Sequence, residues 1–202
     1  RHKAQRATTR PSFSVAEYKK LYEQLRRDIW DAKHKPLKHK YTHELLRDYV
    51  LILANSGLRV GEANNLRESD LVEIEDDTGR KLYGFNVMGK TGKRFVVLRV
   101  GARRYVDRCL ERNSRWRAEW DRAAEQNKKQ HNRKRAQHDD WLFRMSDGNK
   151  IISLIDQFNA VLKRAGITKN AEGEKFTLYS LRHFYAVQML RKGKVNVFDV
   201  AR

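Results

Sequence analysis

The sequence predicts a mostly helical α+β fold with one small antiparallel sheet. Apolar residues recur at helical spacing in three separated stretches: Tyr18, Leu21, Leu25 and Ile29; Leu45 to Ala54; and Leu178, Leu181, Tyr185, Met189 and Leu190. Between residues 70 and 98 the period changes to alternation, broken twice by turn residues, which is the pattern of short paired strands. Only two prolines occur, so long helices are permitted.

The chain has 202 residues, enough for one domain with a real core or for a fragment of a larger protein. Lysine and arginine number 44 against 25 aspartate and glutamate, a net charge of +19. A surface this basic suits a polyanion, because its cations neutralise phosphates and release counterions. Nucleic acid is therefore the expected partner, with generally solubilising or ribosome-type charge as the alternative. No apolar run is long enough to span a bilayer and nothing resembles a signal peptide. Cys109 is the single cysteine, so no intrachain disulfide can form. On a predicted helix between Arg108 and Leu110 it reads as core filler rather than a reactive thiol. A cytoplasmic protein of a prokaryote or virus is the expectation.

Residues 1–12 read as a basic arm or linker, and residues 13–202 as the domain. Ser14-Val15-Ala16-Glu17 is a capping box that opens a helix to about Ala32. Residues 34–40, with His43, read as a basic loop. Their three histidines fit no metal spacing, and no cysteine or carboxylate cluster supports them. Thr42 is the expected cap of the next helix, which Gly57 stops by accepting a left-handed backbone. The chain then presents Arg59 on a tight turn and starts a short helix through Glu62 toward Leu66. An arginine held between two packed helices is rigidly placed, and its planar fork suits a phosphate.

Asp70 to Glu75 and Lys81 to Met88 alternate around an Asp76-Asp77-Thr78-Gly79 turn. Gly89-Lys90-Thr91-Gly92 turns into a third strand, Arg94 to Leu98. Taken alone, Lys90 is a turn lysine in water. A long polar helix is expected from Gly101 to about Ala136, with Tyr105, Leu110, Trp116 and Trp120 as a sparse core stripe. Its end, residues 127–135, is a basic run suited to solvent or to non-specific DNA contact. Trp141-Leu142-Phe143 re-enters the core, and a helix from Ile151 to Arg164 follows a turn at residues 146–149. The last long helix begins near Leu178, placing Arg182 at its start and facing Arg59. A short helix from Val195 to Arg202 closes the chain.

Two motifs carry a resemblance. Gly57-Leu58-Arg59-Val60-Gly61-Glu62-Ala63 and, far downstream, Leu181-Arg182-His183 with Ala186 resemble the two arginine motifs of tyrosine recombinases, the phage-integrase family. Either motif alone is a weak signal. Both in order, with a Gly-Lys hairpin between them, make a strong one, and the resemblance implies that family's catalytic-domain fold. It further implies that Arg59 and Arg182 stabilise charge on a DNA phosphate without a metal or cofactor. Lys90 follows the hairpin glycine where the family carries a lysine that protonates the leaving 5′ oxygen, and Lys93 is the reserve. Glu62 would orient the arginines. Tyr179 stands where the family usually has a histidine, as a hydrogen-bond donor that is a poor proton acceptor near neutral pH. Arg59, Lys90, Lys93, Arg182 and His183 are the expected DNA-binding residues.

The partner implied is double-stranded DNA, with self-assembly on it as a tetramer. The activity implied is site-specific recombination or integration through a 3′-phosphotyrosyl intermediate. In the family the nucleophilic tyrosine follows the second arginine at a distance that falls past Arg202. Tyr105, Tyr179 and Tyr185 precede that place or lie on the arginine helix. The expectation is therefore a catalytic domain without its C-terminal nucleophile segment and without a separate N-terminal clamping domain, inactive alone. A DNA-binding protein of the same fold without chemistry is the alternative, and a type IB topoisomerase a weaker third reading.

Overall fold

The computed structural model describes residues 11–34, 36–89, 92–126 and 140–191. Helix α1 (Val15–Asp31) opens on the expected capping box. The Glu17 amide donates to Ser14 Oγ at 3.2 Å, and the Ser14 amide donates to the Glu17 carboxylate at 2.8 Å. Leu21 and Leu25 are buried on its inner face. At its start Phe13 stacks on Phe176 and Tyr18 on Phe184, with centroids 4.1 and 4.3 Å apart. These contacts tie the beginning of the domain to residues 176–184.

Helix α2 (Leu37–Ser56) is the centre of the molecule. Leu45, Leu46 and every residue from Asp48 to Ala54 are buried, so this helix is covered on all sides rather than along one stripe. It begins five residues before Thr42. Pro36 stands at the N-cap and its carbonyl accepts from the amides of His39 and Lys40. Thr42 is thus inside the helix, with its hydroxyl bonded back to Lys38, and His39 and His43 are helical rather than in a loop.

One fully buried charge lies in α2. Asp48 accepts from Arg47, from Arg108 at 2.6 Å and from Arg112 at 2.7 Å. The last two arginines lie on α4 (Arg103–Gln126), which explains how so polar a helix can pack against the core. Cys109 sits beside them with no exposure, and burial pushes its thiol up to about 11, as befits a filler. The basic run at 127–135 and the expected end of this helix lie outside the described residues, as do the N-terminal arm up to Arg10 and the expected helix at 195–202.

Between α3 (Val60–Asn64) and α4 runs an antiparallel meander in the order β1 (Leu71–Glu75), β2 (Lys81–Gly89), β3 (Gly92–Val97). The register pairs Gly89 with Gly92, so the second hairpin turns through two residues, as expected. Phe85, Val87 and Val96 face the core. On the outer face the Phe95 ring covers Gly84, where a side chain would collide with it.

One further helical boundary and one buried helix face differ from expectation. Helix α5 (Ile155–Arg164) starts four residues late, because Lys150 pairs with Arg144 across the turn and the Ile155 amide is caught by Ser153 Oγ. Ile151 is buried before the helix begins. In α6 (Leu178–Arg191) the buried residues are Leu178, Ser180, Leu181 and Phe184, while Tyr185 and Met189 are only partly covered and Leu190 is exposed. No helix among the described residues is long and apolar enough to cross a membrane.

Candidate functional site

The site begins where α2 stops. Gly57 takes φ +65° and its amide donates to the Leu53 carbonyl at 3.2 Å, closing the helix in the left-handed cap. A methyl group at Gly57 would also sit 2.5 Å from Cδ1 of Tyr185 on α6. Backbone and packing both demand glycine here. Leu58 then plugs the core with no exposure, which fixes the direction of the next side chain.

Arg59 is the N-cap of α3 in an extended conformation. Its amide donates to Glu62 Oε2 at 2.8 Å and its Nη1 donates to Glu62 Oε1 at 2.9 Å. Glu62 is 5% exposed, so its charge must be met locally. A second arginine helps to meet it. Arg94 on β3 donates from Nη2 to Oε2 at 2.6 Å and from Nε to Oε1 at 3.3 Å. Burial alone would raise the Glu62 carboxyl. The Arg94 hydrogen bond, followed by those from Arg59, outweighs burial and holds the group below the ordinary glutamate value.

Strand β2 passes directly over this carboxylate. A side-chain carbon at Gly89 would lie 2.7 Å from Glu62 Oε1 and 3.5 Å from Arg59 Nη1. The close approach needs glycine, and it brings the base of the β2–β3 hairpin to the arginines. Lys90 itself lies outside the described residues. Lys93, four residues after Gly89, is exposed and pairs across the sheet with Met88.

Arg182 arrives from α6. Its Nη1 donates to the carbonyl of Gly57, two residues before Arg59. Burial first, and then the like charges of Arg59 and Arg94, lower its basicity, with Tyr179 and Glu62 acting the other way. Arg59, Arg94 and Arg182 thus share one neighbourhood with a single carboxylate, a local sum of +2 over those four side chains. Tyr179 lies one turn before Arg182, with its ring edge-on to His183 at 5.0 Å between centroids. Such a cluster can hold a tetrahedral anion through several charge-assisted hydrogen bonds at once.

The sequence profile of the Phage integrase family matches residues 14–199. The chain belongs to the phage integrase family. Solved tyrosine recombinases share its fold. XerA recombinase superposes with a TM-score of 0.61 at 22% identity, covering 94% of this chain and 53% of that one. XerH site-specific recombinase bound to its difH substrate, in a pre-cleavage complex, gives a TM-score of 0.63 at 18% identity over 99% and 49%. Lambda integrase residues 75–356 bound to DNA gives 0.52 at 16% over 95% and 55%. The chain thus spans about half the length of these structures. No curated protein sequence matches it.

As an integrase-family domain it brings Arg59, Glu62 and Arg182 together as expected, and it adds Arg94, which sequence reasoning missed. The signal was present in the strand alternation. Arg94 is in phase with core-facing Val96 and Leu98, so it had to point inward and therefore needed a partner.

Proposed function

We propose that this chain is the catalytic domain of a site-specific DNA recombinase that cleaves and rejoins strands through a 3′-phosphotyrosyl link. The observation that carries the reading is the convergence of Arg59 and Arg182 beside a buried, ionised Glu62. Attack on a phosphodiester crowds negative charge onto the non-bridging oxygens, and pre-organised guanidinium groups stabilise that charge without reorganising. Arg59 and Arg182 fill this role. Glu62 sets the aim of Arg59 and touches no substrate.

The tyrosine phenol loses its proton to solvent and its oxygen bonds to phosphorus as the bond to the 5′ oxygen breaks, while Lys90 supplies a proton to that leaving oxygen. Lys93 is the nearest substitute on the same hairpin. The attacking tyrosine comes from outside these 202 residues. Tyr179 donates a hydrogen bond to the phosphate, and His183 adds a second contact. The partner is duplex DNA, in keeping with the substrates held by XerH and lambda integrase, and the working form is a tetramer on that DNA. A non-cleaving DNA binder of the same fold is the second reading, favoured by a phenol where the family usually has a histidine.

A nicked suicide duplex separates the two. On a site selected by the protein itself, the natural-length protein should form a covalent adduct that protease converts to a tyrosyl-DNA stub, and the 202-residue chain should form none. An adduct from the short chain would overturn the placement of the nucleophile. Absence of adduct from the natural-length protein would favour the non-cleaving binder.

A further inference from the structure

Glu62 is contacted from two elements that are distant in sequence. Arg59 reaches it from the start of α3, and Arg94 reaches it from β3 with a longer reach across both carboxylate oxygens. The side chain of Glu62 is 3% exposed and that of Arg94 is 26% exposed. Among the described residues the guanidinium of Arg59 bonds through Nη1 alone. A buried carboxylate facing one arginine would draw that arginine's fork into a bidentate pair, which is the geometry it otherwise offers a phosphate.

Arg94 changes this balance. Together with the Arg59 amide on Oε2, it satisfies both Glu62 oxygens, so that the Arg59 guanidinium commits Nη1 alone and keeps the rest of its fork. It also hooks β3 onto α3 at the point where Gly89 of β2 rests against Glu62 Oε1. Both strands of the hairpin are thereby held against the same carboxylate.

We propose that Arg94 is a positioning residue: acting through Glu62, it keeps the Arg59 fork available to phosphate and docks the β2–β3 hairpin on the arginine site. The assignment rests on the reading of Arg59 and Lys90 given above. It does not require Arg94 to touch DNA.

The test uses the natural-length protein with Arg94→Gln, Arg94→Lys, Glu62→Gln and the Arg94→Gln/Glu62→Gln double variant. Single-turnover cleavage of the nicked suicide duplex should slow on the order of tenfold to a hundredfold in Arg94→Gln, the scale of misplacing a reacting group. Its duplex Kd should stay within about threefold of the parent, with the same salt slope. Arg94→Lys should recover part of the rate, because an ammonium can serve one carboxylate oxygen but not both. In the Glu62→Gln background, Arg94→Gln should cost less than about threefold more, since residues acting through one another are not additive. Full additivity overturns the proposal. A salt slope reduced by about one in Arg94→Gln, with weaker binding matching the slower cleavage, also overturns it, by making Arg94 a phosphate contact.

A readout independent of cleavage is the ¹³C titration of the Glu62 carboxyl. It should start below the ordinary glutamate range and move up in Arg94→Gln, and an unchanged titration would refute the coupling. If the parent forms no adduct at all, the recombinase reading fails while this titration still decides the role of Arg94.

Discussion

At the scale of single residues, Gly57 shows how closely the backbone and the site are joined. It needs a left-handed conformation to end α2, and it must also leave room for the Tyr185 ring on the helix that carries Arg182. Gly57→Ala should therefore lower stability by about 1–2 kcal/mol through the left-handed backbone alone. Displacement of the ring adds to this, and urea denaturation would read the sum. In a Tyr185→Ala background the steric part should vanish and the backbone part remain. If Gly57→Ala cost the same in both backgrounds, the ring contact would carry no weight. Glu62 and Arg94 show the complementary case, where a side chain matters for what it does to another. Glu62 aims Arg59 because its own charge is buried and must be answered, and Arg94 answers it from across the sheet.

At the scale of elements, α2 and α4 are clamped by ions as well as by apolar contact. Asp48 has no exposed surface, and Arg112 is 3% exposed beside it. Asp48→Asn leaves that arginine charge buried without its counter-ion, which should cost about 3–5 kcal/mol in urea denaturation. Arg108→Ala should cost clearly less, since that side chain is one-third exposed and leaves Asp48 paired with Arg112. Equal costs would mean that Arg112 is not the partner that matters. The same elements show what was legible in the sequence. The α1 capping box, the strand alternation and the Gly-to-Gly hairpin depend on neighbours within a few residues, so they could be read directly. Pro36 reads as a loop residue in the sequence but is the N-cap of α2, and the pairing of Lys150 with Arg144 keeps the chain extended where apolar spacing alone predicts the start of α5. Asp48 and Arg112 are 64 positions apart and Glu62 and Arg94 are 32 apart. No local period reports such pairs. The two arginine motifs mark residues that the fold brings together, while the carboxylate-centred wiring between them required the fold.

At the scale of the whole molecule, the domain gathers a loop after its central helix, the base of a hairpin and the start of its last long helix at one place. The excess of positive charge on the chain attracts a polyanion but does not distinguish binding from cleavage. Chemistry must therefore be sought in the rate rather than in the affinity. The most direct measurement is single-turnover cleavage of a nicked suicide duplex by the natural-length protein and its Arg59→Ala and Arg182→Ala variants, with duplex Kd measured in parallel. Each variant should cleave about a hundredfold to a thousandfold more slowly, the usual cost of losing one pre-organised donor to a developing oxyanion. Its Kd should change by less than about tenfold, since on the proposed reading each arginine is one phosphate contact among several. Cleavage at the parent rate by either variant, or a loss accounted for by weaker binding alone, would contradict the assignment of these arginines to the reacting phosphate.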